Sequence, residues 1–443
     1  MNLLNCIIII ITKILIFILH ILGRKAGTLP GKVALTLNKN IRDYLKINAK
    51  IIVVTGTNGK TTTTNIIYEI LKKSNKKVIC NKGGNNIGRG ITTTLLKASS
   101  ITGKINCDYI LLETDEHWVP VIYSKDNIKI DTLIVLNFFR DQLDRAGEIE
   151  TIVLKLENFL KDNPCNLILN GNDPNVVRLG LVNKGNNYYY GIDKLDSSYL
   201  ESNDKMEGII CPKCRKALNY EFYQYSHIGK FNCPECDFGN IKITNNITKI
   251  ENNNFYISRD KYTTLNNNLY HIYNLLSIVT LGKLYNLDKK IINEIFKTYE
   301  AKDGRHQIFK IDNKKCILNL GKNPTGFNVI LRGIKNDLEK KELLIIINDK
   351  INDGKDVSWI WDIDFSNMNS FDRIICSGTR GYDIAITLKC NDYDKSKIIV
   401  EHDIEKAINN LLKTKTKKYI ISNYSPLIKT KNILENLSEC DKK

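Results

Sequence analysis

Three groups of residues in this chain have the types and spacing that do chemistry. The first is Gly56-Thr57-Asn58-Gly59-Lys60-Thr61, with Thr62 following. Two glycines let successive backbone N–H groups converge on an anion, and the positive end of a following helix adds to the attraction. Lys60 then suits the β- and γ-phosphate oxygens of ATP, and the Thr61 hydroxyl suits Mg2+. A longer form of this phosphate loop would place Gly at position 54, where Val54 stands. The match is therefore to a shorter variant.

The second group is Cys211-Pro212-Lys213-Cys214 and Cys233-Pro234-Glu235-Cys236, two C-x-x-C knuckles with 18 residues between them. Four thiolates fill the tetrahedron of a Zn2+ ion and leave no open position for water, so the expected role is structural. A redox pair is the alternative, but each knuckle lies in a turn-rich segment without the helix that a thioredoxin-type site requires. Lys213, Arg215, Lys216, Tyr220, Tyr223 and Tyr225 nearby keep a nucleic-acid-binding ribbon in view. Against it, a ribbon inserted in an ATP domain reads more readily as a packing or docking element. The other eight of the twelve cysteines are scattered, as expected in a reducing compartment.

A third group is acidic: Asp349, Asp353, Asp356, Asp362 and Asp364 fall within sixteen positions just after the apolar run 343–347. In open α/β sheets, sites form beyond the carboxyl ends of strands. Trp359 and Trp361 in the same stretch argue that part of it is buried or docked, against a merely solvated acidic loop.

Elements able to position these groups are legible. The β-branched run 51–54 leads into the phosphate loop, and 62–72 carries apolar residues at helical spacing, so strand, loop and helix follow in order. Further apolar runs at 109–112, 132–136 and 167–169 predict buried parallel strands of a doubly wound α/β domain. The pattern breaks at 205–240, an insertion holding the knuckles, and a helix resumes at 269–283. After Gly304-Arg305 a separate C-terminal α/β domain is expected, with strands at 343–347, 373–376 and 418–421 and a helix at 404–412. The domain reading is 1–48 as an apolar helix and lead-in, 49–303 as the central domain and 304–443 as the C-terminal domain.

The 443 residues, 42% hydrophobic and 26% charged, describe a globular chain and exclude a disordered one. The formal charge of +17 favours anionic partners, although Lys spread along the whole chain is equally a compositional bias. Leu3 to Leu22 hold fifteen Leu, Ile or Phe residues, followed by Arg24 and Lys25, with no small-residue cleavage site. Those fifteen favour membrane insertion by ~7 kcal/mol, while Lys13 at the centre opposes it by about 3. A spanning helix, a surface helix and a buried helix all remain open, and each leaves the catalytic body in the cytoplasm, at or near the inner face of the membrane.

Thr55-Gly56-Thr57-Asn58-Gly59-Lys60-Thr61-Thr62 resembles the signature of Mur ligases and folylpolyglutamate synthases. Asn85-Asn86-Ile87-Gly88, Leu112-Glu113-Thr114-Asp115-Glu116, the stretch 137–145, Asn170-Gly171-Asn172-Asp173-Pro174 and Gly304-Arg305 follow in the family's order. The resemblance implies a Mur-ligase-type fold and activation of a carboxylate as an acyl phosphate. It further implies that Glu113 ligates Mg2+, that Asn170 and Asp173 lie near the adenine and that Arg305 touches the nucleotide. A salt-bridged strand-end acid remains the plain reading of Glu113, and turn formation that of Asn170 and Asp173. Gln142 replaces the family's His, which puts a second metal site in doubt. Asn268 and His271 replace Gly and Asn, and His271 reads as a helix-start residue.

The four-cysteine zinc ribbon with Ser226-His227-Ile228-Gly229, together with 322–328 and the acidic loop, is similar to the MurT branch of these ligases. That implies ATP-dependent amidation of the D-glutamate of lipid II in peptidoglycan biosynthesis, with a GatD-like glutaminase subunit as partner. An aspartate of the loop, Asp356 first and Asp353 second, would orient the partner's catalytic His. Relatives carry Arg near Thr387. An amino-acid-adding ligase, a nucleic-acid-binding ATPase and a nucleotide-gated scaffold are the competing readings.

Overall fold

The computed structural model describes residues 3–440 except 25, 83–84, 125–127, 141–147, 202–207, 301–303, 313, 336, 351–352 and 367, and omits the side chains of 305, 439 and 440. Two compact units divide the described chain, one holding nearly all of residues 3–299 and the other 300–440.

The first unit opens with α1 (Leu3–Ile21) and α2 (Leu29–Leu37). It continues through β1 (Lys46–Thr55), α3 (Lys60–Lys73), β2 (Val78–Cys80), α4 (Gly88–Ala98), β3 (Lys104–Glu113), α5 (Trp118–Tyr123), β4 (Thr132–Val135), α6 (Ile149–Asp162), β5 (Asn166–Asn170), α7 (Pro174–Val177) and β6 (Asn187–Ile192). The hairpin β7 (Asn219–Tyr225) and β8 (Ile228–Asn232) comes next, then β9 (Ile243–Glu251), β10 (Asn254–Ile257), β11 (Asp260–Thr263), α8 (Leu269–Leu284) and α9 (Lys289–Thr298).

Nine of these strands form one sheet in the order β11-β10-β9-β6-β5-β4-β1-β3-β2. From β9 to β2 every pairing is parallel, and β10 and β11 add an antiparallel edge. The last five residues of β1 are all buried, which is why residues 51–54 read as an unbroken apolar run and not as an alternation. β1 lies between β3 and β4, so the chain leaves it at a point where the strand order reverses. Residues 271–282 of α8 are buried on every side, as a helix inside the unit requires. His271 sits in its first turn, as the sequence suggested.

The second unit contains β12 (Arg305–Ile311), β13 (Lys314–Leu320), α10 (Pro324–Lys335), β14 (Lys341–Ile346), β15 (Phe371–Ser377), α11 (Gly381–Cys390), β16 (Ile398–Val400), α12 (Ile404–Leu412), β17 (Lys417–Ser422) and α13 (Tyr424–Cys440). Its sheet runs β12-β13-β17-β14-β15-β16, parallel except for the β12/β13 hairpin. One face packs Phe327, Leu331, Trp359, Ile360 and Phe365, and the other packs Phe309, Ile408, Leu411 and Leu434. Trp359 is thus core, whereas Trp361 is exposed.

Between the central strands lies a buried charge pair: Lys418 of β17 donates to Glu342 of β14 at 2.7 Å, and Arg373 of β15 approaches the same carboxylate at 2.9 Å. Burial pushes the Glu342 carboxyl up, but the bonds from Arg373 and Lys418 outweigh it and leave the pKa below the usual range. The stability it contributes is therefore complete above the unfolded carboxylate value near ~4.3 and is lost as pH falls through the lower folded value. Lys418→Ala is expected to destabilise the chain by about 3 kcal/mol in chemical denaturation, because it removes one of the two cations that compensate a buried carboxylate.

Candidate nucleotide site, cysteine ribbon and acidic loop

β1 ends at Thr55, and the chain must turn at once into α3. Gly56 (φ +123°) and Gly59 (φ +93°) make that turn. A Cβ on Gly59 would lie 2.4 Å from Asn274 Oδ1 of α8, so the position has neither the backbone angle nor the space for a side chain. Asn137, beyond β4, braces the loop: its Oδ1 accepts from Asn58 N at 2.9 Å, its backbone oxygen accepts from Thr57 N at 2.9 Å and its Nδ2 donates to Asn58 O at 3.1 Å.

The first N–H groups of α3 have no helical acceptor and point into the loop. Lys60 lies beside them, buried, donating to Gly56 O, to Thr57 O at 3.3 Å and to Glu116 Oε2 at 3.1 Å. Burial alone pulls the ammonium's pKa down, yet the charges of Glu116, Asp115 and Glu113 outweigh it and leave it raised.

Glu113, the last residue of β3, is buried and fixed twice over. Its backbone is clamped by the Asn81 side chain, which donates to Glu113 O at 2.7 Å and accepts from Glu113 N at 2.9 Å. Its Oε1 accepts from Thr61 Oγ1 and from Asn86 Nδ2, each at 3.1 Å. A carboxylate and a helix-start hydroxyl in contact suit a hard divalent cation.

Asn170 ends β5, fully buried, with Oδ1 accepting from Asn172 N at 3.0 Å. Its Nδ2 has no partner, the kind of orphan donor that a ligand acceptor would satisfy. Asp173 accepts from Asn175 N and Phe138 N, each at 2.9 Å, so it does form a turn and cap α7.

Sequence reasoning thus names Lys60, Thr61 and Glu113, and the structure brings them together. It missed the roles of Glu116, Asn81, Asn86, Asn137 and Asn274, although all but Asn81 and Asn274 stand inside quoted motifs. Gln142 and the Arg305 side chain lie outside the described residues.

The four ribbon thiols converge: the sulfur atoms of Cys211, Cys214, Cys233 and Cys236 lie within 4.8 Å of one another. The closest pairs are 3.3 Å and 3.5 Å apart, near the separation of about 3.8 Å that tetrahedral zinc–thiolate bonds impose. The donor set fits zinc. The ribbon packs Phe231, Phe238 and Leu218 against Val177 of α7. Its hairpin turn closes on the Asn170–Pro174 segment, with Gly229 N on Asn172 O at 2.9 Å, Asn172 Nδ2 on Gly229 O at 3.0 Å and His227 Nε2 3.3 Å from Asp173 Oδ1. Tyr220 and Tyr223 stack on each other, and Tyr225 is buried against Tyr273, so these rings are engaged within the fold.

In the acidic loop, Asp349 pairs with Arg380 at 2.9 Å and accepts from Thr379, and Asp364 caps the Ser366 turn. Asp353 is buried, with Oδ1 on Ser425 N at 2.7 Å and Oδ2 without a partner. Asp356 is half-buried and accepts from Ser358 N at 2.8 Å, a bond that lowers its pKa. Thr387 is buried in α11 with its hydroxyl on Asp383 O.

Residues 54–234 match the Mur ligase middle domain, and residues 320–427 match the MurT ligase C-terminal family. A pseudomurein peptide ligase type C from Methanothermus fervidus superposes over 90% of this chain and 81% of its own, with a TM-score of 0.69 at 21% identity. Fold and loop together define a Mur-ligase-type, ATP-dependent enzyme. Over 94% of both chains the sequence is 34% identical to the lipid II isoglutaminyl synthase (glutamine-hydrolyzing) subunit MurT of Streptococcus pneumoniae. It is 32% identical to the subunit of the same name from Staphylococcus aureus, over 91% of this chain and 92% of that one. The chain belongs to the MurT family.

Cys211→Ser with Cys233→Ser is expected to lower the melting temperature by about 5 °C or more in a thermal shift assay, and a zinc chelator should do the same to the native chain. ATP affinity should fall in parallel, because the ribbon's turn supports Asp173.

Proposed function

We propose that this chain is the ligase subunit that amidates the D-glutamate α-carboxylate of lipid II to D-isoglutamine, using ATP and ammonia from a glutaminase partner. The observation that carries the reading is the buried loop in which Lys60, Thr61 and Glu113 meet. The N–H groups at the start of α3 and Lys60 bind the β- and γ-phosphates, with Lys60 exchanging Glu116 for phosphate oxygens. Thr61 and Glu113 hold Mg2+, which neutralises phosphate charge when bound. Asn170 offers its unpartnered Nδ2 donor to the adenine ring.

A carboxylate oxygen of the substrate attacks the γ-phosphorus, the bond to the β,γ-bridging oxygen breaks and ADP leaves. Ammonia then adds to the acyl carbon, phosphate departs with the bonding pair and a proton is released, leaving the amide. No side chain of this chain forms a covalent intermediate in the scheme. Catalysis rests on positioning and on charge placed where it develops. The catalytic body works in the cytoplasm, where ATP and the precursor's peptide meet.

Asp356 of the acidic loop faces the partner and orients its catalytic His, with Asp353 as the second choice. Its half-buried carboxylate, held by bonds from Ser358 and by no ion pair among the described contacts, is the better placed of the two, since Asp353 is enclosed.

The test is amidation of lipid II by the purified chain with a glutaminase subunit, ATP, Mg2+ and glutamine. Lys60→Ala is expected to lower the rate by at least ~10³-fold, as loss of a phosphate-binding cation does. Equal rates for the variant and the native chain overturn the reading. Asp356→Asn is expected to suppress glutamine-driven amidation while ammonium-driven amidation persists. Loss of both would place the residue in the ligase chemistry instead.

A further inference from the structure

α1 is two-faced in an unusual sense: both faces are apolar. Asn5, Cys6, Ile8, Ile9, Thr12 and Leu19 face inward, and Ile8 and Ile9 join the core beneath the sheet. Polar contacts lock this face down, with Asn38 Nδ2 on Asn5 Oδ1 at 2.8 Å, Cys6 Sγ near Tyr44 Oη at 3.3 Å and Lys13 Nζ on Lys97 O at 2.9 Å.

Leu3, Leu4, Ile7, Ile10, Ile11, Ile14, Phe17, Ile18 and Ile21 are all exposed. Their spacing of three and four residues puts them in one arc of about 140° along the whole helix. Phe17 is 64% exposed and Ile21 67%. A continuous outward stripe of this kind is an interaction surface.

Its surroundings say what covers it. Residues 1–40, which hold α1 and α2, contain Lys13, Arg24, Lys25, Lys32 and Lys39 and no Asp or Glu. α4, which also packs on α1, adds Arg89 and Lys97 and no acid. An apolar stripe on a segment whose charged side chains are all cationic complements an anionic lipid surface, whereas a second copy of the same helix would bring like charges together.

We propose that the outward stripe of α1 lies in the headgroup region of an anionic bilayer, parallel to the membrane plane, with the inward face kept on the protein. The helix is long and apolar enough to cross a membrane. Its locked inner face, with Ile8 and Ile9 in the core, keeps it in the surface plane. Docked this way, the unit holding the phosphate loop sits at the surface that presents a lipid-linked substrate; only this last step rests on the proposed function.

The full chain is sedimented with vesicles of phosphatidylcholine alone and of phosphatidylcholine with phosphatidylglycerol, without lipid II or ATP, so the outcome is independent of the ligase reading. Binding is expected only to the anionic vesicles and should weaken with salt. Ile14→Glu with Phe17→Glu should reduce it at least tenfold while leaving ATP binding unchanged. Phe17→Trp, which keeps the apolar face, should show a blue-shifted emission on the anionic vesicles. No sedimentation with them and an unshifted Trp emission overturn the proposal, as does a stable dimer that the double variant dissociates.

Discussion

A lysine ammonium buried at the end of a parallel strand is the constraint to which the rest of this structure answers. Lys60 is buried, and an uncompensated charge there would cost several kcal/mol. Glu116 satisfies it, with Glu113 and Asp115 close enough to hold it charged. The acids are therefore part of the loop's folding, and on the proposed function a triphosphate entering the loop would take over a cation that is already charged and in place. Binding then exchanges one anion for another at a fixed ammonium and needs no new burial of charge.

That exchange requires the loop and the acids to be placed independently, and different parts of the chain do so. Asn137 braces the loop from the strand on one side of β1, and Asn81 clamps Glu113 from beyond the strand on the other. Asn274 of the buried α8 presses on Gly59. The ribbon belongs to the same system, because its turn closes over Asn172 and Asp173, whose segment begins at the unpartnered Asn170 amide. The cysteine-ribbon insertion, far along the chain, thus packs against the Asn170–Pro174 segment at the end of β5.

What could be read from the sequence was the local chemistry. The phosphate loop is contiguous, the cysteine knuckles are two short motifs, and buried parallel strands such as β1 and β3 declare themselves as apolar runs. The C-terminal strands near 343–347, 373–376 and 418–421 stand within a few residues of where periodicity put them. The antiparallel edge β9 to β11 was not legible, since Ile-Thr-Asn-Asn-Ile-Thr-Lys-Ile-Glu carries too few apolar residues to mark a strand. Contacts between distant residues were equally hidden: nothing local to Glu116 announces Lys60, and nothing in Ser226-His227-Ile228-Gly229 announces Asp173. The apolar N-terminus was ambiguous for the same reason, because only packing distinguishes its two faces.

In the proposed reaction this loop turns a carboxylic acid into a mixed anhydride with phosphate. The most direct measurement is the fate of oxygen-18 placed in the D-glutamate α-carboxylate of lipid II during ATP-driven amidation. An acyl phosphate requires one labelled oxygen to leave with the inorganic phosphate for each amide formed. Unlabelled phosphate released alongside labelled amide would contradict it.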